Sequence, residues 1–195
     1  MSKNSKALKK FVSRAGEKLA FALDAFKIDV TDKIVADFGS STGGFVDCLL
    51  QHGAKKVYSL DTARDMLVSS LKKDPRVEVS IGNAMHFSLK EKVDFITIDV
   101  AWTRQCLVLP NALRNLKDSG FIISLVKPQY EAERNWLTKG VVENMFLDAT
   151  LAKVKKSLEH IQGLEILEFI ASPLKGAKGS NVEYLMLCKK VDISL

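Results

Sequence analysis

The stretch VADFGSSTGGFVD, residues 35–47, decides how the whole chain reads. Apolar residues run up to an acid and a phenylalanine, then come a glycine, three small hydroxylated residues, two more glycines and the start of an apolar run. A strand period giving way to a helical one through glycines marks a place where backbone lies against a ligand. The helix start that follows offers free N–H groups to polar or anionic atoms. The spacing is D-x-G-x-x-x-G-G. Ser41 stands where the dinucleotide fingerprint needs its second glycine, and the Lys-Ser/Thr of a phosphate-binding P-loop is missing. A ligand without phosphates is expected.

Outward from this loop, KIVADF (33–38), KVYSL (56–60), VEVSI (77–81), VDFITID (93–99) and FIISLVK (121–127) read as short strands. Helical stretches are expected over 44–51, 63–72 and 104–116, and before them a helix capped by Ser13 and running to about Phe26. Strands alternating with helices imply parallel pairing through right-handed crossovers. After a long helix expected over 142–161, LEILEFIA (164–171) and VEYLMLCK (182–189) are joined by a loop too short for a crossover, so they pair antiparallel. The fold class expected is α/β, a doubly wound, mostly parallel Rossmann-like sheet with a final antiparallel strand.

Ligands of such sheets sit beyond the carboxyl ends of the strands, where the winding reverses. Asp61 ends the strand after the glycine loop, 22 positions beyond Gly39, about where a carboxylate accepts from ribose hydroxyls. S-adenosylmethionine meets both constraints, having a ribose and an adenine but no phosphate. Asn83, after the third strand, is placed to meet the adenine edge. Read structurally, Asp61 is a strand-end cap and Asn83 a turn residue.

Four charges stand where apolar residues belong. Lys18 lies beside the apolar stripe of the first helix, Asp99 ends the fourth strand, Lys127 ends the fifth, and Glu183 opens the last. Charges buried without partners cost several kcal/mol, so these must converge on one another or on solvent. Topology brings Asp99, Lys127 and Glu183 to the sheet edge that also carries Gly39 and Asp61. An ion-pair network and a catalytic cluster both satisfy that placement.

The 195 residues suffice for one sizeable core. With 29 basic and 23 acidic side chains the net charge is +6, which fits a polyanionic partner without requiring one. Three widely spaced cysteines in apolar contexts suit a reducing cytoplasm, and no metal-ligand spacing is seen. The basic, lysine-rich start (1–10) reads as a flexible leader, followed by a single domain over 11–195. No run has the length of a membrane span, so no stable membrane association is expected.

The motifs SRAGEKL (13–19), DFGSSTGGFVD (37–47), IDV (98–100), LVKPQYE (125–131) and SPLKGAKGSNVEYL (172–185) together resemble the TlyA-type, hemolysin A-like branch of the FtsJ-like ribose 2′-O-methyltransferases. The family's Lys-Asp-Lys-Glu tetrad falls on Lys18, Asp99, Lys127 and Glu183. The resemblance implies methyl transfer from S-adenosylmethionine to a ribose 2′-hydroxyl of RNA, ribosomal RNA being the substrate class of this branch. Lys127 would be the base, flanked by Asp99 and Glu183, with Lys18 orienting the hydroxyl. The cofactor set implied is Asp37, Gly39, Ser40, Ser41, Thr42, Gly43, Gly44, Phe45, Asp61, Asn83, Ala84 and Asp99, with no metal. TlyA-type proteins usually carry an S4-like RNA-binding domain ahead of SRxGxKL, where this sequence has its basic leader. Thr62-Ala63-Arg64-Asp65 and Val100-Ala101-Trp102 depart from the family's usual segments.

RNA needs a basic rim, for which Lys9, Lys10, Arg14, Arg104, Arg134, Lys175 and Lys178 are candidates, with Trp102 and Tyr130 as stacking surfaces for a splayed base. Each reads equally as a solvated charge or a packed aromatic. A non-catalytic RNA-binding or ribosome-assembly factor is the alternative function, and a membrane-lytic protein a third. A nicotinamide-dependent oxidoreductase is disfavoured by Ser41.

Overall fold

The computed structural model of the chain describes residues 10–176 and 181–192. The elements are α1 (Ala15–Ala25), β1 (Ile34–Phe38), α2 (Gly44–Gln51), β2 (Lys56–Asp61), α3 (Ser69–Lys72), β3 (Val77–Ile81), β4 (Val93–Ile98), α4 (Gln105–Asn115), β5 (Leu116–Val126), α5 (Pro128–Glu131), β6 (Leu137–Thr138), β7 (Val141–Val142), α6 (Leu147–Leu158), β8 (Leu164–Ala171) and β9 (Tyr184–Lys190). Seven strands form one sheet in the order β3-β2-β1-β4-β5-β9-β8. The pairs from β3 through β5 are all parallel, and β9 runs antiparallel to both β5 and β8. The expected closing antiparallel strand is present, inserted between β5 and β8.

Strands buried on both faces need apolar residues at successive positions, because alternate side chains point to opposite sides. Val35 and Val57 face the layer built by Leu19, Leu23, Val46 and Leu49 of α1 and α2. Their neighbours Ala36 and Tyr58 face the opposite layer, with Val108 and Leu109 of α4 and Val154 and Leu158 of α6. Cys48 and Cys188 are buried in these layers as free thiols. No helix among the described residues is long and apolar enough to cross a membrane.

Three local expectations are corrected. Ser13 does not cap α1: Arg14 already has helical dihedrals and no side chain caps the start. The Ser13 hydroxyl instead packs on Gly44, where an added Cβ would lie 2.2 Å from it. The helix expected over 63–72 forms only as α3, because Asp65 adopts a left-handed φ of 61° that a helix does not admit. The helix expected over 142–161 begins only at Leu147, since Val142 is spent in the β6–β7 hairpin.

Candidate active site

Winding from β1 proceeds through β2 to β3 on one side and resumes at β4 on the other, so a crevice opens between the carboxyl ends of β1 and β4. Gly39 forms its floor with a φ of 89°. A Cβ there would sit 2.4 Å from the carbonyl oxygen of Asp99, so only glycine lets the two loops close on each other. The Gly39 and Ser40 N–H groups donate to the Leu60 carbonyl, and the Asp99 N–H donates to Phe38, stitching three strand ends together.

The crevice holds a cavity of about 460 Å³, lined by Gly39, Ser41, Asp61, Asn83, Ala84, Asp99 and Lys127 among others. That volume lies in the range of small-molecule sites, roughly 300–1,000 Å³. Asp61 is held by two backbone donors, its Oδ2 accepting from Ser41 N–H at 2.8 Å and its Oδ1 from Ala63 N–H at 2.9 Å. Both oxygens keep a lone pair with which to accept a further hydrogen bond. Asn83 accepts from the Met85 N–H at 2.9 Å, which fixes its loop at the cavity wall. This wall of acceptors over a glycine floor fits S-adenosylmethionine.

Asp37, Ser40, Thr42, Gly43, Gly44 and Phe45 do not line the cavity. Asp37 lies fully buried under the loop, with Oδ1 accepting from the Thr97 hydroxyl at 2.7 Å and Oδ2 without a partner. Burial, with Asp99 and Asp61 nearby, pushes its carboxyl up to about 7, against the smaller opposing effect of the Thr97 and Ser40 hydroxyls. Phe45 belongs to the core. Gly43 and Gly44 are glycines because Leu67 and Leu71 press on the first and Ser13 and Ala15 on the second.

The four flagged charges form two ion pairs. Lys127 Nζ lies 2.7 Å from Asp99 Oδ1 at the cavity wall. Lys18 pairs with Glu183, and both are buried. The pairs adjoin, because Val126 lies opposite Tyr184 in the β5–β9 ladder, so Lys127 and Glu183 leave it side by side. Lys127 has the extended backbone expected before Pro128, with φ −109° and ψ 97°. The LVKPQYE motif has a second task. Glu131, whose carboxyl is pushed up by burial, accepts the Gln105 N–H at 2.8 Å and so secures the start of α4.

Trp102 is 82 % exposed, with a left-handed φ of 61°, and its ring stacks at a tilt on Tyr130, 5.0 Å between centroids. Trp102 lines the rim of the cavity. Lys10, Arg14, Arg104, Arg134 and Lys175 are all exposed. Lys9 and Lys178 lie outside the described residues. The sequence reading missed Asn181, whose side chain joins the β6–β7 hairpin to the loop before Glu183. An uncharged residue in a turn-rich loop carries no burial anomaly to betray it.

Comparison with known proteins agrees with this geometry. The family described as FtsJ-like methyltransferase matches residues 11–190. "Hemolysin A" of Brachyspira hyodysenteriae is 39 % identical over 188 residues, covering 90 % of this chain and 75 % of that protein. The 16S/23S rRNA (cytidine-2′-O)-methyltransferase TlyA of Mycobacterium tuberculosis is 36 % identical over 186 residues, covering 90 % and 67 %. Among solved structures, a candidate hemolysin from Streptococcus thermophilus superposes with a TM-score of 0.89 at 36 % identity, over 97 % of this chain and 70 % of that one.

Proposed function

The chain belongs to the FtsJ-like methyltransferases, and from that premise we propose that it methylates the 2′-hydroxyl of a ribose in ribosomal RNA. It is an enzyme that uses S-adenosylmethionine. The observation that carries the substrate reading is the Lys127–Asp99 pair standing in the wall of the cofactor cavity, with the Lys18–Glu183 pair next to it on the same sheet edge.

S-adenosylmethionine supplies, when bound, a methyl group on a positively charged sulfur, so no metal is needed to create an electrophile. Gly39, Ser41, Asp61, Asn83, Ala84 and Asp99 would hold it. Lys127, in its uncharged amine form, would accept the proton that the 2′-hydroxyl gives up on methylation. Asp99 holds Lys127 in place at 2.7 Å. Lys18, kept rigid by Glu183, orients the hydroxyl for in-line attack, which is where most of the rate gain from positioning arises. Trp102, over Tyr130, offers a stacking face for a base lifted from its helix. The exposed cations Arg14, Arg104, Arg134 and Lys175 contact phosphates without reading sequence. Residues 11–195 act as the methyltransferase domain, working in the cytoplasm on ribosomal subunits.

The test is transfer of tritiated methyl to ribosomal subunits that lack the modification. Wild-type protein labels RNA in a nuclease-resistant, 2′-O-methylated linkage. Lys127→Ala lowers the rate by at least about 100-fold while S-adenosylmethionine affinity holds. Tight cofactor binding with no transfer to either subunit would overturn the reading.

A further inference from the structure

The segment between α5 and α6 contributes nothing to the cofactor cavity, yet it is built with care. β6 and β7 pair antiparallel, Leu137 opposite Val142 and Thr138 opposite Val141, around a two-residue turn. Both turn residues are left-handed, Lys139 with φ 51° and Gly140 with φ 81°, the pattern that matches strand twist in a tight hairpin. A Cβ added at Gly140 would meet nothing within 4 Å, so that side of the turn faces open space, with Lys139 exposed beside it.

The Asn181 side chain holds both the turn and the returning strand of this hairpin. Asn181 Oδ1 accepts from the Val142 N–H at 3.0 Å, and Asn181 Nδ2 donates to the Gly140 carbonyl at 3.0 Å. The Asn181 carbonyl in turn accepts from the Gly176 N–H, and Gly176 lies against the Glu183 carboxylate, where a Cβ would come within 2.9 Å. On its other side β7 packs on α5, which begins at the residue after Lys127. The hairpin thus touches the segments that deliver Lys127 and Glu183, outside the cavity lining. The acids nearby are engaged: Glu143 accepts from the Thr138 hydroxyl at 2.6 Å, and Glu133 pairs with Lys153. Lys139 and Arg134 remain exposed.

We propose that the β6–β7 hairpin is a clamp on the RNA strand next to the reacting nucleotide, with Lys139 contacting a phosphate and Asn181 as the positioning residue that couples this grip to the Lys127 and Glu183 segments. The proposal rests on the RNA methyltransferase reading above. An exposed cation in the turn of a hairpin that adjoins the Lys127 and Glu183 segments is placed to meet a phosphate of a strand entering the site. A phosphate contact there registers the strand relative to the base and to the ion pair at once, without reading sequence.

The experiment measures binding of a short fluorescein-labelled single-stranded RNA across a salt series, and methyl transfer to unmodified ribosomal subunits. The proteins compared are the wild type, Lys139→Ala, Asn181→Ala and the double variant. Lys139→Ala is expected to weaken RNA binding about fivefold and to make the salt dependence shallower by about one counterion, with the loss in transfer falling on KM for the subunit. Asn181→Ala is expected to weaken RNA binding at least as much. Once the turn is untethered, Lys139→Ala adds little more, so the two effects are not additive. Affinity for S-adenosylmethionine stays unchanged throughout. Lys139→Ala sits at an exposed turn, so its binding result stands even where Asn181→Ala lowers the melting temperature. Unchanged binding and salt slope for Lys139→Ala, or fully additive effects, overturn the clamp while wild-type transfer keeps the enzymatic reading intact. Absence of transfer by wild-type protein overturns both.

Discussion

Replacing Asp37 by asparagine tests how the glycine loop is supported. The carboxyl is fully buried, one oxygen has no partner, and burial lifts it from the ordinary 3.8 to about 7. At about 1.4 kcal/mol for each tenfold change in proton affinity, that displacement comes to roughly 4 kcal/mol. The sign follows from where the protons sit. Below pH 4 both folded and unfolded chains carry a protonated Asp37 and nothing is lost. Between pH 4 and 7 the unfolded chain releases this proton while the folded one keeps it, so stability falls as pH rises. Above pH 7 the folded chain must also ionise, and the full penalty stands. Asparagine mimics the protonated acid and can keep the Thr97 hydroxyl as donor to its oxygen. Urea unfolding of both proteins should therefore show the variant gaining on the wild type from pH 4 to pH 8 by up to about 4 kcal/mol. In a chain of this size that is on the order of 10 °C in melting temperature. A cost of leaving the new amide unpaired would shift the whole curve by a constant and leave the slope intact. A difference between the proteins that does not change with pH, or that shrinks toward pH 8, would refute the reasoning.

The remaining predictions concern the sheet edge. Glu183→Ala leaves the Lys18 ammonium buried without its partner, and should cost about 3–5 kcal/mol in urea unfolding; the joint replacement Lys18→Met with Glu183→Leu should regain most of it. If the double variant is as unstable as the single one, the pair is not the source. Gly39→Ala sets a Cβ against the Asp99 carbonyl on a backbone with φ 89°, so S-adenosylmethionine affinity measured calorimetrically should fall by at least about tenfold. Wild-type affinity in that variant would show that the two loops separate without harm to the cavity.

Much of the fold was open to a reader of residues alone. The β-branched runs and the glycines between them specify parallel strands and helices, because a strand buried on two faces must be apolar throughout. The short loop after LEILEFIA requires antiparallel return, and β9 runs so. The four misplaced charges were also visible as a set, since an acid or amine in an apolar run has to find company. Other features were hidden for physical reasons. Ser13 looks like a cap by residue type, yet its hydroxyl is used against Gly44, a contact that depends on how α1 crosses α2. The helix expected over 63–72 is cut short by the left-handed backbone of Asp65, a conformation that propensity does not register.

The linear chain by itself determined the layers, the glycine floor and the identity of the charges, all of which follow from local period and from the cost of burying polarity. Only the tertiary structure decided that Lys127 pairs with Asp99 and Lys18 with Glu183, that Asp37 supports the loop from beneath without touching the cavity, and that Asn181 fastens a hairpin to the Glu183 loop. Pairings of this kind join residues as far as 165 positions apart. They are set by sheet order and by the crossing of α1 over α2, and neither is encoded in any one stretch of residues.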